Sequence, residues 1–140
     1  MDGVAAAWCL ASPSLGEREV AEALLEVNRG HLHPGLVIIG DKGLAGVLVD
    51  QHVAQLGVRL LRPDRLGEPA RVGNLGPVRQ WVEAIFDTLK DQLSLERHGA
   101  RTRPGVHARV AQRLLALAAA VWFNWQLGMQ PTRSPVAYDH

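Results

Sequence analysis

The chain is poor in cysteine and lysine and has no long apolar run, and two of these absences exclude classes of protein. Among its 140 residues the single cysteine is Cys9, which excludes an internal disulfide framework and a cysteine-based zinc site. The longest uninterrupted apolar run, residues 114–123, is too short to span a bilayer. Acidic residues stand near the start where a basic and then apolar signal peptide would be. We therefore expect a cytoplasmic protein in a reducing compartment.

The residues that are present indicate a globular chain with an uneven distribution of charge. Apolar residues make up 47% and charged residues 21%, which is sufficient for one domain with a hydrophobic core. Lys42 and Lys90 are the only lysines, and this preference for arginine is one that a GC-rich genome also produces. Residues 97–113 contain five arginines and no acid, which favours contact with phosphate. The five are Arg97, Arg101, Arg103, Arg109 and Arg113.

Strand patterns alternate with helix patterns, so the predicted fold class is α/β. Residues 36–39 are four consecutive apolar residues, which predict a strand buried on both faces. Two further short strands are predicted at residues 4–10 and 58–61. Proline and glycine are frequent in residues 62–78, which predict a long loop of the kind that often carries function.

Four helices are expected between these segments. The first runs from a capping box of Ser14 and Glu17 to about residue 29, because a serine followed three residues later by glutamate satisfies the first free N–H groups. The last helix, residues 106–127, is apolar on most sides beyond Leu114 and is expected to be largely buried. The other two are predicted at residues 45–56 and 78–95.

Asp41 is the first candidate functional residue. It directly follows the strand at 36–39, and in α/β sheets ligands bind outside the carboxyl ends of the strands. A carboxylate at this position, between Gly40 and Gly43, is well placed to bind a metal ion. The alternative is an aspartate that only caps a turn or a helix.

A second candidate is a polar stripe on the helix at 78–95. Its members recur at i, i+4, i+8 and i+11, which places them along one side of an α-helix, opposite the apolar side. The alternative is an exposed ladder of ion pairs with little energetic value. The four are Arg79, Glu83, Asp87 and Lys90.

Together these motifs resemble the DDE transposases of bacterial insertion sequences. Arg79, Glu83 and Lys90, separated by three and six residues, match the R-(3)-E-(6)-K part of the YREK signature. The stretch VIIGDKG at residues 37–43 resembles the strand that carries the second catalytic aspartate of that family. Residues 79–93 resemble the helix that carries the glutamate, and the resemblance covers about residues 4–127.

The resemblance implies an RNase H-like fold and metal-dependent chemistry on DNA. In this family three acids bind two Mg²⁺ (or Mn²⁺) ions, which drive cleavage at transposon ends and strand transfer into target DNA. Asp41 would be the second acid and Glu83 the third, with Arg79, Lys90 and Lys42 contacting DNA phosphate near the cut. The arginines of 97–113 would bind the backbone of the transposon end.

The same resemblance implies partners and a location. The partners would be double-stranded DNA and either the N-terminal part of the same transposase or further copies of this chain, with no membrane partner. The protein would act at the bacterial nucleoid.

Two departures from the family pattern shape the expectation. Gly76 stands where the signature has tyrosine. The family's sheet order is 3-2-1-4-5, and residues 4–10 match strand three, so strands one and two, with the first acid, would precede Met1. Asp2 is not expected to replace that acid. We therefore expect residues 1–127 to be a partial catalytic domain, inactive alone, and residues 128–140 a tail.

Two alternatives remain open from the sequence. One is a non-catalytic DNA-binding or regulatory remnant of a transposase, which would keep the arginine-rich segment. The other is a small α/β domain unrelated to transposition.

Overall fold

The computed structural model describes residues 4–64, 66–68 and 73–131. They fall into two compact units. The described part of Ala7–Leu75 forms the first, and the described parts of Met1–Ala6 and Gly76–His140 form the second. Six main elements occur in these ranges: α1 Glu17–Val27, β1 Val37–Ile39, α2 Val47–Gln55, β2 Arg59–Leu61, α3 Gly76–Asp87 and α4 Arg103–Gln126.

The first unit is built on a strand–helix–strand sequence, β1–α2–β2. The two strands pair in parallel, with Val37 opposite Arg59 and Ile39 opposite Leu61. Parallel neighbours need a crossover, which α2 provides. The helix ends before Gly57, whose φ of 71° lies in the left-handed region that glycine tolerates best. All three elements lie within two residues of their predicted positions.

A small apolar core holds the first unit together. Val49 and Val53 lie one turn apart on α2 and are buried together with Val58 at the start of the β2 segment. Five half-buried residues surround them: Leu25, Leu32, Ile38, Leu56 and Leu60. Each fully buried valine contributes roughly 1.5–3 kcal/mol of transfer free energy to folding.

The expectation that β1 is buried on both faces is wrong. Ile38 packs against the core, whereas Val37 and Ile39 point to the opposite face and are 42% and 37% exposed. Successive strand residues alternate between faces, and in the first unit the described core covers one face of this two-stranded pair. The apolar run at residues 36–39 therefore predicted the strand but not which of its faces is buried.

The N-terminal predictions are also corrected. Residues 4–10 form no strand, and none of the described residues pairs with them in a sheet. The capping box is absent, because Gly16 is the N-cap of α1 and makes no side-chain cap. The Ser14 hydroxyl instead lies 2.8 Å from the Ser12 hydroxyl in the preceding turn. The first helix stops at Val27, followed by a 3₁₀ turn at Arg29–His31.

The second unit packs α3 and its continuation against α4. After Asp87 the helix widens into a π turn, Thr88–Gln92, in which the Leu93 N–H donates to the Thr88 carbonyl at 3.0 Å. Leu89 of this turn forms the core with Leu117 and Val121 of α4. Four half-buried residues complete it: Ile85, Leu93, Leu95 and Leu114.

The last helix begins at Arg103, three residues before its predicted start, and it is not largely buried. Thr102 is the N-cap, and its hydroxyl accepts a hydrogen bond from the Gly105 N–H at 3.2 Å. Beyond Leu114 only one side is covered, whereas Leu115 is 71% and Trp122 60% exposed. No helix in the described ranges is long and apolar enough to cross a membrane.

Some predictions fall outside the described residues. These are the N-terminal Asp2, residues 65 and 69–72 of the predicted loop, and residues 132–140 of the predicted tail. The loop is also shorter than predicted, because α3 begins at Gly76.

Candidate functional site

Asp41 lies at the end of β1, where the sequence placed it, and it caps a turn. It is the N-cap of the 3₁₀ turn Lys42–Leu44, and its Oδ1 accepts a hydrogen bond from the Gly43 N–H at 2.6 Å. Both Asp41 and Lys42 are exposed. The capping role that the sequence left open for Asp41 is thus present, in a side chain that solvent can still reach.

The start of α1 contacts this turn, which sequence reasoning missed. Arg18 Nε donates to the Gly43 carbonyl at 2.9 Å. A Cβ added to Gly43 would lie 2.8 Å from Asp41 Oδ1 and 3.3 Å from Glu17 Oε2, so two carboxylates flank the same glycine. The sequence pattern predicts Glu17 as part of a capping box with Ser14, and no local pattern indicates that it stands beside Asp41.

Arg79 and Glu83 form an exposed ion pair on α3. Arg79 Nε lies 2.8 Å from Glu83 Oε1, one helical turn away, and both side chains are more than half exposed. The geometry is that of an i, i+4 surface pair, which contributes only a few tenths of a kcal/mol. Because the pair contributes so little, exchanging it for contacts with a ligand would change the free energy of unfolding only slightly.

Lys90 lies beyond the regular α-helical part of the predicted stripe. The α-helical spacing ends at Asp87, and Lys90 lies in the π turn, where each turn holds more residues. Its ammonium group is 3.4 Å from Glu96 Oε1. The winding changes between Glu83 and Lys90, and the place of Lys90 on the line of Arg79 and Glu83 stays a prediction.

The two predicted metal ligands belong to different units. Asp41 lies in the first unit and Glu83 in the second. No group of three or more histidine, cysteine, aspartate or glutamate side chains in the described ranges could hold a metal ion. A metal centre shared by Asp41 and Glu83 stays a prediction.

The arginine-rich segment is mostly open to solvent. Arg97, Arg101, Arg103 and Arg109 are exposed. Arg113 is half-buried and donates to the Arg109 carbonyl at 3.3 Å. Within the described part of the chain none of the five forms an ion pair.

The start of α4 adds to this positive potential. The first turn of the helix contains Arg103 and no acid. Helix N-termini carry a partial positive charge from free N–H groups, so neighbouring arginines reinforce that potential and an anion would relieve it. Phosphate, which accepts paired hydrogen bonds from guanidinium, fits this arrangement.

A second missed feature is a buried ion pair at the start of the predicted loop. Arg62, only 4% exposed, donates from its two terminal nitrogens to Glu68 at 2.8 and 3.0 Å. Those bonds raise the pKa of Arg62 above its ordinary value, so it stays charged at any working pH. The two terminal nitrogens of this buried arginine are thus engaged inside the fold and are not available to a ligand.

No protein-family model, curated protein or solved structure matches this chain. Function is therefore inferred from the side chains described above. Among them, the exposed arginines at the start of α4, which have no acidic partner among the described residues, point most directly to a ligand.

Proposed function

We propose that this chain is part of a DDE transposase of the bacterial insertion-sequence type, and that DNA binding is the step its own residues carry. The observation that carries the proposal is the segment 97–113, in which exposed arginines lead into the N-terminus of α4 without an acidic residue. Duplex DNA presents a regular row of phosphates, and arginine binds phosphate through paired hydrogen bonds.

The strand–helix–strand part of the first unit supports the family assignment. β1 and β2 are parallel neighbours, as the resemblance expects of the family's fourth and fifth strands. Asp41 follows β1 directly and is exposed, and Glu83 is exposed on α3 beside Arg79. These positions agree with the order of the motifs in the sequence.

The described residues do not fit a complete Mg²⁺ or Mn²⁺ site. The family uses three acids, whereas the described ranges contain no cluster of three possible ligands. One oxygen of Asp41 is engaged by Gly43, and one oxygen of Glu83 by Arg79. No cleavage or strand-transfer step is therefore derived from these residues, and the proposed activity of the chain by itself is binding without cleavage.

Three exposed arginines stand at the start of α4. Arg103 and Arg109 are separated by six residues, which is about 9 Å along the helix axis and about 120° around it. Arg101 stands just before the N-cap residue Thr102. The three long side chains would neutralise nearby phosphates, which is positioning on DNA and not reading of sequence.

The test is salt-dependent binding of labelled duplex DNA, followed by fluorescence anisotropy. With three to four phosphates neutralised, log Kd should rise with log salt concentration at a slope of about 3 to 4. Arg101→Gln, Arg103→Gln or Arg109→Gln should each reduce that slope by about one. Arg59→Gln, which removes an exposed arginine from β2 in the first unit, is the matched control and should leave the slope unchanged.

The role of metal is tested in the same assay. EDTA should leave the affinity unchanged at constant ionic strength, because no described metal group takes part in this binding. Binding that needs Mg²⁺, or an affinity that does not respond to salt, would contradict the proposal. Cleavage of the duplex by the purified chain in Mg²⁺ would contradict the proposal that the chain by itself binds DNA without cleaving it.

A further inference from the structure

Residues 98–101 lead into α4 without regular secondary structure, and the side chain of His98 holds them in place. His98 Nδ1 accepts a hydrogen bond from the Ala100 N–H at 3.1 Å, and both residues are half-buried. Among the described residues no backbone carbonyl accepts this N–H. A half-buried N–H group needs a partner, and here the imidazole supplies the acceptor that secondary structure does not.

This hydrogen bond closes a tight turn at Gly99. Gly99 has a φ of 67°, in the left-handed region, and a Cβ added to it would meet no atom within 4 Å. Contacts on either side must therefore fix its backbone conformation, because glycine restricts its own backbone less than any other residue does. The bond from Ala100 to His98 spans this glycine and supplies that restriction.

Uncharged acceptors also order the residues that follow. Thr102 Oγ1 accepts a hydrogen bond from the Gly105 N–H at 3.2 Å, and Arg109 Nη1 donates to Gln112 Oε1 at 3.3 Å. A neutral imidazole nitrogen, a hydroxyl and an amide oxygen all accept a hydrogen bond without carrying negative charge. A carboxylate in any of these places would offset the positive potential of residues 97–113. The segment is thus ordered without loss of positive charge.

We propose that His98 is a positioning residue of the DNA site, an inference that rests on the proposed DNA binding. By holding the turn at Gly99, His98 limits the directions in which Arg101 and Arg103 leave the backbone. Arg101 directly follows Ala100, and Arg103 is the first residue of α4. DNA binding then costs less conformational entropy, because the backbone that carries the two guanidinium groups is ordered beforehand. His98 acts through the arginines and does not itself need to touch DNA.

The Kd for labelled duplex DNA and its salt dependence separate positioning from charge. His98→Ala removes the acceptor but no arginine, so Kd should rise about threefold to tenfold while the slope against log salt concentration keeps its native value. His98→Asn keeps an acceptor atom bonded to Cγ, as Nδ1 is, and should restore the native Kd. His98→Asp keeps the same acceptor but adds a negative charge, so it should lower the slope. His33→Ala, which removes an exposed histidine of the first unit, is the matched control and should change neither quantity.

The order of the turn is measured without DNA. Hydrogen exchange of the Ala100 amide, followed by NMR, should be faster in His98→Ala than in the native chain or His98→Asn, by at least about threefold. Gly99→Ala leaves the imidazole in place but strains the left-handed turn, so it should also speed this exchange and raise the Kd for DNA. Circular dichroism should show unchanged helix content in all these variants, because none of the substitutions lies in a described helix.

The possible failures of this inference and of the proposed function are distinct. If the native chain binds DNA in a salt-dependent manner and His98→Ala has the same Kd, the DNA binding stands and the positioning role of His98 is overturned. The same holds if His98→Asn binds as weakly as His98→Ala, because the acceptor would then not be what matters. Equal exchange of the Ala100 amide in the native chain and His98→Ala would overturn the inference without any reference to DNA. A native chain without salt-dependent binding would contradict the proposed function, and the inference would fall with it.

Discussion

Arg62 of the first unit and the arginines at the start of α4 in the second unit have opposite roles. In the first, Arg62 is buried and held by both oxygens of Glu68. In the second, Arg101 and Arg103 are exposed at a helix N-terminus, with no ion pair to any described residue. The comparison shows that the abundance of arginine says little about function. What separates Arg62 from Arg101 and Arg103 is that the fold buries Arg62 and places a carboxylate beside it.

The largest effect is expected from breaking the buried Arg62–Glu68 ion pair of the first unit. Glu68→Ala leaves the Arg62 guanidinium buried without its partner, which should lower the free energy of unfolding by about 3 kcal/mol. Urea denaturation followed by circular dichroism measures it. Glu96→Ala removes the partner of exposed Lys90 in the second unit and should cost less than about 0.5 kcal/mol. Equal losses from the two variants would mean that the Arg62 pair is no more important than a surface pair.

Two leucines that lie two residues apart on α4 differ in burial. Leu117 is buried in the core and Leu115 is exposed. Leu117→Ala should lower the free energy of unfolding by about 2.5 kcal/mol, through lost transfer energy and a cavity. Leu115→Ala should change it by less than about 0.5 kcal/mol. Similar losses in thermal or urea melts would contradict the one-sided burial of this helix.

A smaller effect is expected at Asp41, where the contribution of its capping oxygen can be measured apart from that of its charge. Asp41→Ala removes the oxygen that accepts the Gly43 N–H and should cost about 1 kcal/mol. Asp41→Asn keeps an acceptor oxygen and should cost only a few tenths of a kcal/mol. Denaturant melts of both variants, with and without Mg²⁺, make the measurement. If the asparagine variant loses as much as the alanine variant, the charge itself is needed in the fold.

The smallest expected effect concerns Arg79 and Glu83, the exposed counterpart of the Arg62 pair. Glu83→Gln should change the free energy of unfolding by no more than about 0.5 kcal/mol. The same melts measure it, with Glu68→Gln as the buried comparison. A loss near that of Glu68→Gln would show that the α3 pair has a structural role that its exposure does not indicate.

The sequence predicted the positions of elements better than their surroundings. Periodicity and turn residues predicted the bounds of β1, α2 and β2 to within two residues of the observed ones, because those signals act locally. Which faces are covered depends on what packs there, so the apolar run of β1 and the apolar second half of α4 were both expected to be more buried than they are. Residues 4–10 have the composition of a strand, but a strand also needs a backbone to pair with.

The candidate site was predictable to the same extent. The position of Asp41 directly after β1 and the pairing of Glu83 with Arg79 follow from order and spacing along the chain. The approach of Glu17 to the Asp41 turn, and the closure of Arg62 on Glu68, depend on tertiary contacts that no local pattern encodes. The change of winding at Thr88, just before Lys90, has no recognised sequence signal.

The π turn at Thr88–Gln92 also has a consequence for chain length. A bond from Leu93 back to Thr88 encloses one residue more than an α-helical bond does, so this stretch holds a surplus residue that the flanking turns do not need. A chain one residue shorter here could cover nearly the same axial distance with ordinary α-helical bonds. Deletions elsewhere in the helix would rotate Ile85 or Leu89 out of the core, whereas one within this turn could be absorbed by a change of winding.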